Sequence, residues 1–428
     1  MLNMAFIREN ADLVRSAIRN RGHAVEPIDR AIAIDDERRK LQAETDKLKA
    51  ERNALGPEIA KRKKAGTDAA DLLTRTSELA ERGKGLELRQ SDAEKQLNEL
   101  LLGIANIPLA DVPVGKDAAD NVEVRKGGAR KTFGWKASPH WELAEKLALL
   151  DFPRGAKLTG SHWPLYWGAG ARLERAMIQL FLDTQTGENG YTEVSTPFVA
   201  NRATMTGTGQ LPKFEDDMYR IVPDDLFLIP TSEVTITNIF RDETLALDSL
   251  PQRFTGYSPC FRREAGAYGK DTRGIQRVHQ FDKVEMVKLT TPEQAEAEHQ
   301  AMLRNAEGLV EKLGLEWRTI CLCTGDMGFG ASKTYDVEVW APVTGRWFEC
   351  SSVSQFGDFQ SRRMNIRFRD TGGKLRFVHT LNGSGLATPR IWIALLETYQ
   401  NEDGSVTVPE PLRKYMGGLE RIEAPKKA

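Results

Sequence analysis

Two runs of apolar residues at seven-residue intervals constrain the first quarter of this chain. Ile34, Leu41, Leu48 and Leu55 make the first run, and Leu72, Leu79, Leu86, Ala93 and Leu100 make the second. Such a repeat puts an apolar stripe along one side of a helix, and each stripe must bury itself against a partner. Between the runs lies Lys61-Arg62-Lys63-Lys64-Ala65-Gly66, a basic turn closed by a helix-stopping glycine. The spacing predicts an antiparallel helical hairpin over about residues 30–102. Arms of about 33 residues at 1.5 Å per residue would give it a length of roughly 50 Å. The flanking seam positions are weak (Arg38, Thr45, Arg52, Thr76, Gly83, Gln90), so the coiled coil is imperfect. Pro57 is expected to bend or break the first arm. A hairpin with a basic tip has two readings: a spacer or dimerisation arm, or a grip on RNA phosphates.

Before the hairpin, residues 1–28 read as a short amphipathic helix ending near Arg21-Gly22, then an irregular piece around Pro27. After it, Pro108, Pro113, Gly115, Gly127, Gly128 and Gly134 interrupt any period over residues 103–135, which read as a linker. The expected boundary falls near residue 105, giving an N-terminal unit 1–105 and a second unit 106–428. The formal net charge is −1, so any nucleic-acid contact must come from a local patch. The four cysteines lack the paired spacing of a zinc site and do not form a disulfide framework. No apolar run reaches membrane-span length, and the N-terminus is charged by its eighth residue. These features predict a soluble, cytoplasmic protein.

The second unit alternates short strands with helices, among them Trp141–Leu150, Leu173–Leu182 and Glu293–Leu313. That order predicts an α+β fold on an antiparallel sheet flanked by helices. Within it, Cys260 to Met286 reads as two strands joined by a loop far longer than a hairpin needs. The loop is rich in glycine and charge (Gly266, Gly269, Lys270, Asp271, Arg273, Gly274). Arg262 and Glu264, two apart, are expected on one strand face. With Phe281 they could hold a nucleotide: guanidinium on phosphate, ring on base, carboxylate on the base amino group. A charged surface hairpin is the alternative.

Three further pieces carry polar chemistry. Thr231-Ser232-Glu233 follows an apolar strand and reads either as a helix N-cap or as a cradle for a substrate ammonium. Tyr335–Trp340 and Arg346–Cys350 read as two strands paired through a Pro342–Gly345 turn, the second running into Ser351-Ser352. Glu349 and Ser352 there offer hard oxygens to a divalent cation, although Glu349-Cys350-Ser351-Ser352 alone is no metal signature. Gly357–Arg363 reads as the start of a strand through Arg369. Leu381-Asn382-Gly383-Ser384-Gly385 leads into a helix from Pro389, and Arg390 in its first turn can reach a phosphate.

In this order, the pieces resemble the motifs of class II aminoacyl-tRNA synthetases. Phe261–Glu264 with His279–Met286 (HQFxKVE) is similar to motif 2 in its seryl-type version. The helix and strand ending at Tyr191–Pro197 resemble motif 1, and Asn382–Arg390 motif 3. The resemblance implies a seryl-tRNA synthetase architecture, with a tRNA-binding helical arm ahead of the catalytic domain. It implies Arg262 and Arg390 as the catalytic pair on the α- and γ-phosphates. It implies ATP contacts from Arg262, Arg263, Glu264, Val278, Phe281, Glu349, Cys350, Ser351, Ser352 and Arg390. Serine contacts would come from Thr231, Ser232, Glu233, Arg262, Glu285, Asn382 and Ser384. Glu349 and Ser352 would hold Mg²⁺, and motif 1 would build a homodimer. Thr388-Pro389 departs from the family's usual valine–glycine pair, and Cys350 stands where an aliphatic residue is usual.

The implied reaction joins serine to ATP as seryl-adenylate and passes the seryl group to the 3′ end of tRNA(Ser), with tRNA(Sec) a second acceptor. A paralogue serving a non-tRNA acceptor is the alternative. No protein nucleophile or general base stands out, so catalysis is expected to rest on positioning and charge stabilisation.

Overall fold

The computed structural model describes residues 1–265 and 273–425. Gly266, Gly269, Lys270 and Asp271 of the long loop lie outside the described residues. The chain forms two compact units, Met1–Ala105 and Asn106–Ala428.

The first unit opens on two helices where one was expected, α1 (Met4–Glu9) and α2 (Ala11–Asn20). Asn10 separates them: its side-chain amide bonds the Phe6 carbonyl at 3.1 Å, satisfying a helix end. The hairpin follows as α3 (Glu26–Lys64) and α4 (Ala70–Leu102). Helix α3 continues through Pro57, contrary to the expected break. Gly56, having no Cβ, removes part of the clash that disfavours helix before proline. Leu41, Leu48, Leu79, Ala93, Leu97 and Leu101 are buried in the seam, while Ile34, Leu55, Leu72 and Leu86 are half-buried. Gln90 donates to Gln42 across the hairpin at 2.6 Å. Lys49–Glu87 (2.8 Å), Arg75–Glu51 (2.8 Å) and Arg89–Glu37 (3.2 Å) also bridge the arms. Exposed pairs like these contribute only about 0–1 kcal/mol each, so they fix register more than stability. At the tip, Lys61, Lys63 and Lys64 are exposed, and Arg62 is tied to Asp71 at 3.0 Å.

In chain order the second unit begins with β1 (Val122–Gly127), α5 (His140–Lys146), α6 (Phe152–Thr159), α7 (Ala169–Gly187) and β2 (Thr192–Glu193). A small sheet of β3 (Val199–Asn201), β4 (Arg220–Ile221) and β5 (Leu226–Leu228) packs beside α8 (Arg202–Thr208), and the chain goes on to α9 (Glu233–Thr237) and β6 (Thr244–Leu245). Then come β7 (Gln252–Phe261), β8 (Gln280–Thr290), α10 (Ala295–Lys312), β9 (Trp317–Cys321), β10 (Lys333–Ala341) and β11 (Arg346–Gln355). The series continues with α11 (Phe359–Met364), β12 (Arg367–Arg369), β13 (Leu375–Phe377), β14 (His379–Ala387) and α12 (Thr388–Tyr399).

Eight strands form the main sheet in the order β1-β9-β10-β11-β14-β8-β7-β2. It is antiparallel throughout except that β2 runs parallel to β7. Helices α7, α10 and α12 pack against the sheet through Met177, Phe181, Met302, Leu309 and Trp392, which meet Val284, Met286 and Val337 in one core.

Two expectations are corrected here. The supposed linker contains β1, an edge strand of the sheet. Its Gly127 is fitted rather than loose, since a Cβ there would lie 2.7 Å from the Trp317 ring. Residues 359–364 form helix α11 rather than opening a strand, and Asn365 ends it at a left-handed φ of 54°. Phe359, Ser361 and Met364 are buried by that helix.

Candidate active site

Strands β7 and β8 pair from Gln252↔Leu289 to Phe261↔Gln280. Arg262 and Glu264 lie just past the end of β7, not on it, and Glu264 turns at a φ of 51°. This corrects their expected place on one strand face. Both still line a cleft of about 830 Å³ that also takes in Val278 and Phe281. The Arg262 guanidinium carbon sits 5.1 Å from the Phe281 ring centroid. Glu264 accepts from Arg277 at 2.8 Å.

At one end of the cleft the polar groups are tightly interlocked. Thr231 Oγ1 accepts from the Glu233 backbone N–H at 3.1 Å, so it serves the start of α9. The same hydroxyl donates to Glu285 at 3.1 Å and receives the Lys283 ammonium at 2.8 Å. Thr231 therefore orders the turn into α9, whose N-cap is Ser232, and joins the site at once. Glu285 is fully buried beneath the cleft floor. Its carboxylate is met by Thr231, by Asn382 at 2.9 Å and by an ion pair with Lys283. Lys283 was not singled out from the sequence, yet it lines the cleft. Its signal was strand alternation, because Phe281, Lys283 and Glu285 share one face of β8. Glu233 accepts from Gln360 at 2.8 Å, which in turn accepts from Thr380 at 2.6 Å. Burial, together with the nearby Glu285, pushes the Glu233 carboxyl up to about 7.

At the other end stand Arg390, Glu349 and Ser352. Glu349 and Ser352 are three residues apart, which in a regular strand would put them on opposite faces. A bulge resolves this: Val337 pairs Ser351 while Glu338 pairs Glu349, leaving Cys350 as the extra residue. Both side chains then line the cleft, and the Cys350 thiol is buried in the core against the Val337 carbonyl. Arg390 donates to the Glu349 carbonyl at 2.6 Å and pairs with its carboxylate at 3.1 Å. Burial raises the Glu349 carboxyl, but Arg390 and Arg262 overcome that and hold it below the usual range. Asp336, opposite Ser352 on β10, is pushed well above the usual range by burial and by Glu349. One of its carboxylate oxygens is buried without a hydrogen-bond partner. Two carboxylates and a hydroxyl make a hard-oxygen set that fits a divalent cation and leaves positions for phosphate oxygens. Among the described residues there is no group of three His, Cys, Asp or Glu side chains placed to hold a metal unaided.

Four expected residues do not line the cleft, among them Glu285, which is buried behind Thr231, Lys283 and Asn382. Arg263 donates to the Asp216 carbonyl at 2.9 Å. Ser351 is buried and donates to the Ser384 carbonyl at 2.7 Å, supporting the strand beside it. Ser232 is buried just before α9. Asn382 and Ser384 do face the cleft. The adjacent glycines serve the opposite side: a Cβ on Gly383 would come 3.2 Å from Met302, and one on Gly385 3.3 Å from Gln185. Their smallness admits helices, not the ligand.

Residues 1–108 match the seryl-tRNA synthetase N-terminal domain, and residues 213–399 match the tRNA synthetase class II core domain (G, H, P, S and T). A serine–tRNA ligase of Nitratidesulfovibrio vulgaris is 51% identical over 99% of this chain and 100% of its own. The chain belongs to the seryl-tRNA synthetase family. A serine–tRNA ligase of Geobacter sulfurreducens is 50% identical with the same coverage. The Pyrococcus horikoshii seryl-tRNA synthetase, solved with ATP, superposes with a TM-score of 0.95 at 38% identity over the whole of both chains. The Naegleria fowleri cytoplasmic enzyme, solved with AMP, gives 0.90 at 28% identity and 99% coverage of each. The reaction of a seryl-tRNA synthetase is to activate serine with ATP and charge tRNA with it.

Where this seryl-tRNA synthetase departs from the family pattern, the packing adapts. Helix α12 begins at Thr388 with Pro389 in its first turn, a favourable place for proline. The Thr388 hydroxyl donates to the buried Glu174 carboxylate and lies 3.0 Å from the Asp282 carbonyl. That joins the motif 3 helix to the motif 1 helix and the motif 2 strand.

Proposed function

We propose that the two ends of the cleft divide the adenylation reaction between them. The observation that carries this is that a single cavity is lined both by a polar cluster (Thr231, Glu233, Lys283, Asn382), with Glu285 buried behind it, and by a phosphate-facing set (Arg262, Arg390, Glu349, Ser352). Serine sits over the first, its ammonium near Thr231 and Glu233 and its hydroxyl near Glu285 and Ser384. ATP lies with adenine by Phe281, Glu264 and Val278, the α-phosphate on Arg262 and the γ-phosphate on Arg390. Arg262 thus spans both substrates. The serine carboxylate attacks the α-phosphorus in line, its oxygen bonding to phosphorus as pyrophosphate leaves. Arg262 and Arg390 meet the charge that gathers on phosphate oxygens. Glu349, Ser352 and Asp336 would hold Mg²⁺, which supplies charge neutralisation on the phosphates.

Lys283 neutralises Glu285, so the serine hydroxyl meets a carboxylate that already has its counter-charge and the ammonium is left to Glu233. Arg263, Ser232 and Ser351 support the site from behind. The helical arm grips tRNA(Ser), and tRNA(Sec) is a second candidate acceptor. The enzyme works in the cytoplasm as a homodimer joined through α7 and β2. No helix among the described residues is long and apolar enough to cross a membrane.

The test is pyrophosphate exchange across a panel of amino acids, followed by charging of purified tRNA(Ser) and tRNA(Sec). Serine-dependent exchange and charging of tRNA(Ser) are expected. Exchange with another amino acid at higher kcat/KM would refute the assignment of the polar cluster.

A further inference from the structure

Beside the active-site cleft lies a second cavity of about 380 Å³ that neither serine nor ATP needs. It is formed where α5 and α6 face the segment leading into β8, and its walls include Trp141, Phe152, Trp163 and His162. Arg273 and Glu145 stand among its lining residues. The cavity shares Val278 with the active-site cleft, so the two lie on either side of one short segment. Two of its wall residues, His162 and Trp163, belong to a chain of rings. Trp163 lies 5.6 Å from His279 and 5.8 Å from Tyr219, and His162 lies 6.0 Å from His279. The backbone holds this arrangement: His279 N–H donates to the His162 carbonyl at 3.0 Å, and Arg262 N–H donates to the His279 carbonyl at 2.9 Å. His162 keeps a left-handed φ of 64°, costly for a residue with a side chain.

We infer that this cavity receives one base of the unpaired 3′ strand of tRNA while the terminal nucleotide enters the main cleft. The inference rests on transfer to tRNA as the second half of the reaction. That step must bring a single strand to the cleft, and this cavity adjoins the cleft through Val278. Flat aromatic walls bind any base by stacking, and nearby cations take the backbone phosphates. Arg273 supplies the cationic character, and the Glu145 carboxylate can accept from an exocyclic amino group. Adenine and cytosine, the bases of the common CCA end, both carry one.

Trp141→Ala and Trp163→Ala test the proposal, with Trp141→Phe as the variant that keeps a stacking ring. Serine-dependent pyrophosphate exchange should stay within about twofold of the parent in all three. The kcat/KM for tRNA charging should fall about tenfold or more in the alanine variants and recover in Trp141→Phe. Binding is then compared for intact tRNA and for tRNA trimmed of its four unpaired 3′ nucleotides. The alanine variants should bind intact tRNA more weakly than the parent does, and the trimmed tRNA equally well. Equal losses with both tRNAs, or none with either, would overturn the pocket. So would a parallel fall in exchange and charging, which would make the aromatic walls a support for the ATP cleft. Failure of the parent protein to charge tRNA would instead sink the reading on which the pocket rests.

Discussion

Glu233 shows how one residue can trade stability for substrate recognition. Its carboxyl is raised from 4.5 to about 7 in the folded chain by burial and by Glu285. Below pH 4.5 both folded and unfolded forms hold the proton. Between about 4.5 and 7 only the folded form holds it, so stability falls as pH rises and the penalty is complete above 7. Glu233→Gln should therefore raise the stability of the ligand-free protein at pH 8, by on the order of 1–3 kcal/mol, and change it little at pH 4.5. Denaturant titrations at the two pH values check this. If Glu233 holds the serine ammonium it must ionise first, so the parent KM for serine should fall as pH rises through 7. The variant should have a higher KM and lack that dependence.

The neighbouring Glu285 should read the serine hydroxyl. A site that bonds a hydroxyl can reject its absence by roughly 10⁴–10⁵. Alanine would leave Glu285, Asn382 and Lys283 imperfectly paired, whereas threonine is excluded by volume. Because Lys283 is buried against Glu285, Glu285→Ala would strand a cation, and Glu285→Gln is the cleaner probe. It should erode discrimination against alanine more than against threonine. Equal losses for serine and alanine in kcat/KM would show that Glu285 does not read the side chain.

Among the elements, β11 carries the clearest consequence. The bulge at Cys350 turns Glu349 and Ser352 to one face, and strict alternation in the sequence gives no hint of it. Ser352→Ala should raise the Mg²⁺ needed for half-maximal exchange by roughly tenfold. Cys350→Ala, which alters a side chain packed in the core, should lower stability by on the order of 1 kcal/mol with little change in Mg²⁺ dependence. A magnesium titration of exchange with each variant separates the two roles. The same element explains how much was legible. Arg262, Phe281, Glu349 and Arg390 were readable because each sits in a dense local motif, and the heptads announced the hairpin. Arg263 and Ser351 were misplaced because their partners, Asp216 and Ser384, are distant in sequence. Lys283 was passed over although period-two alternation exposed it. Strand β1 was hidden because it is short and ends in glycine, where only the bulk of Trp317 explains the composition. Helix α3 survived Pro57 through the accident of a preceding glycine.

At the scale of the whole molecule, the two units differ in what holds them. The N-terminal unit, Met1–Ala105, is a seam of spaced leucines edged with exposed ion pairs. The second unit, Asn106–Ala428, buries a continuous core between its sheet and helices α7, α10 and α12, and it contains every residue lining the cleft. No cleft residue therefore depends on the hairpin for its position. Removing residues 33–98 and closing the arms with a short linker should leave serine-dependent exchange largely intact and abolish tRNA charging. The shortened protein keeps α1, α2 and the base of the hairpin, where Ile28 and Ala31 are buried, so the N-terminal unit retains a small core. Replacing Lys61, Lys63 and Lys64 with alanine tests a narrower claim, that the tip touches phosphate. Each lost contact should shallow the dependence of log affinity on log salt by about 0.7–0.9. An unchanged salt slope with intact charging would place the RNA along the arms instead of at their end. Charging at full efficiency after removal of residues 33–98 would make the arm a spacer.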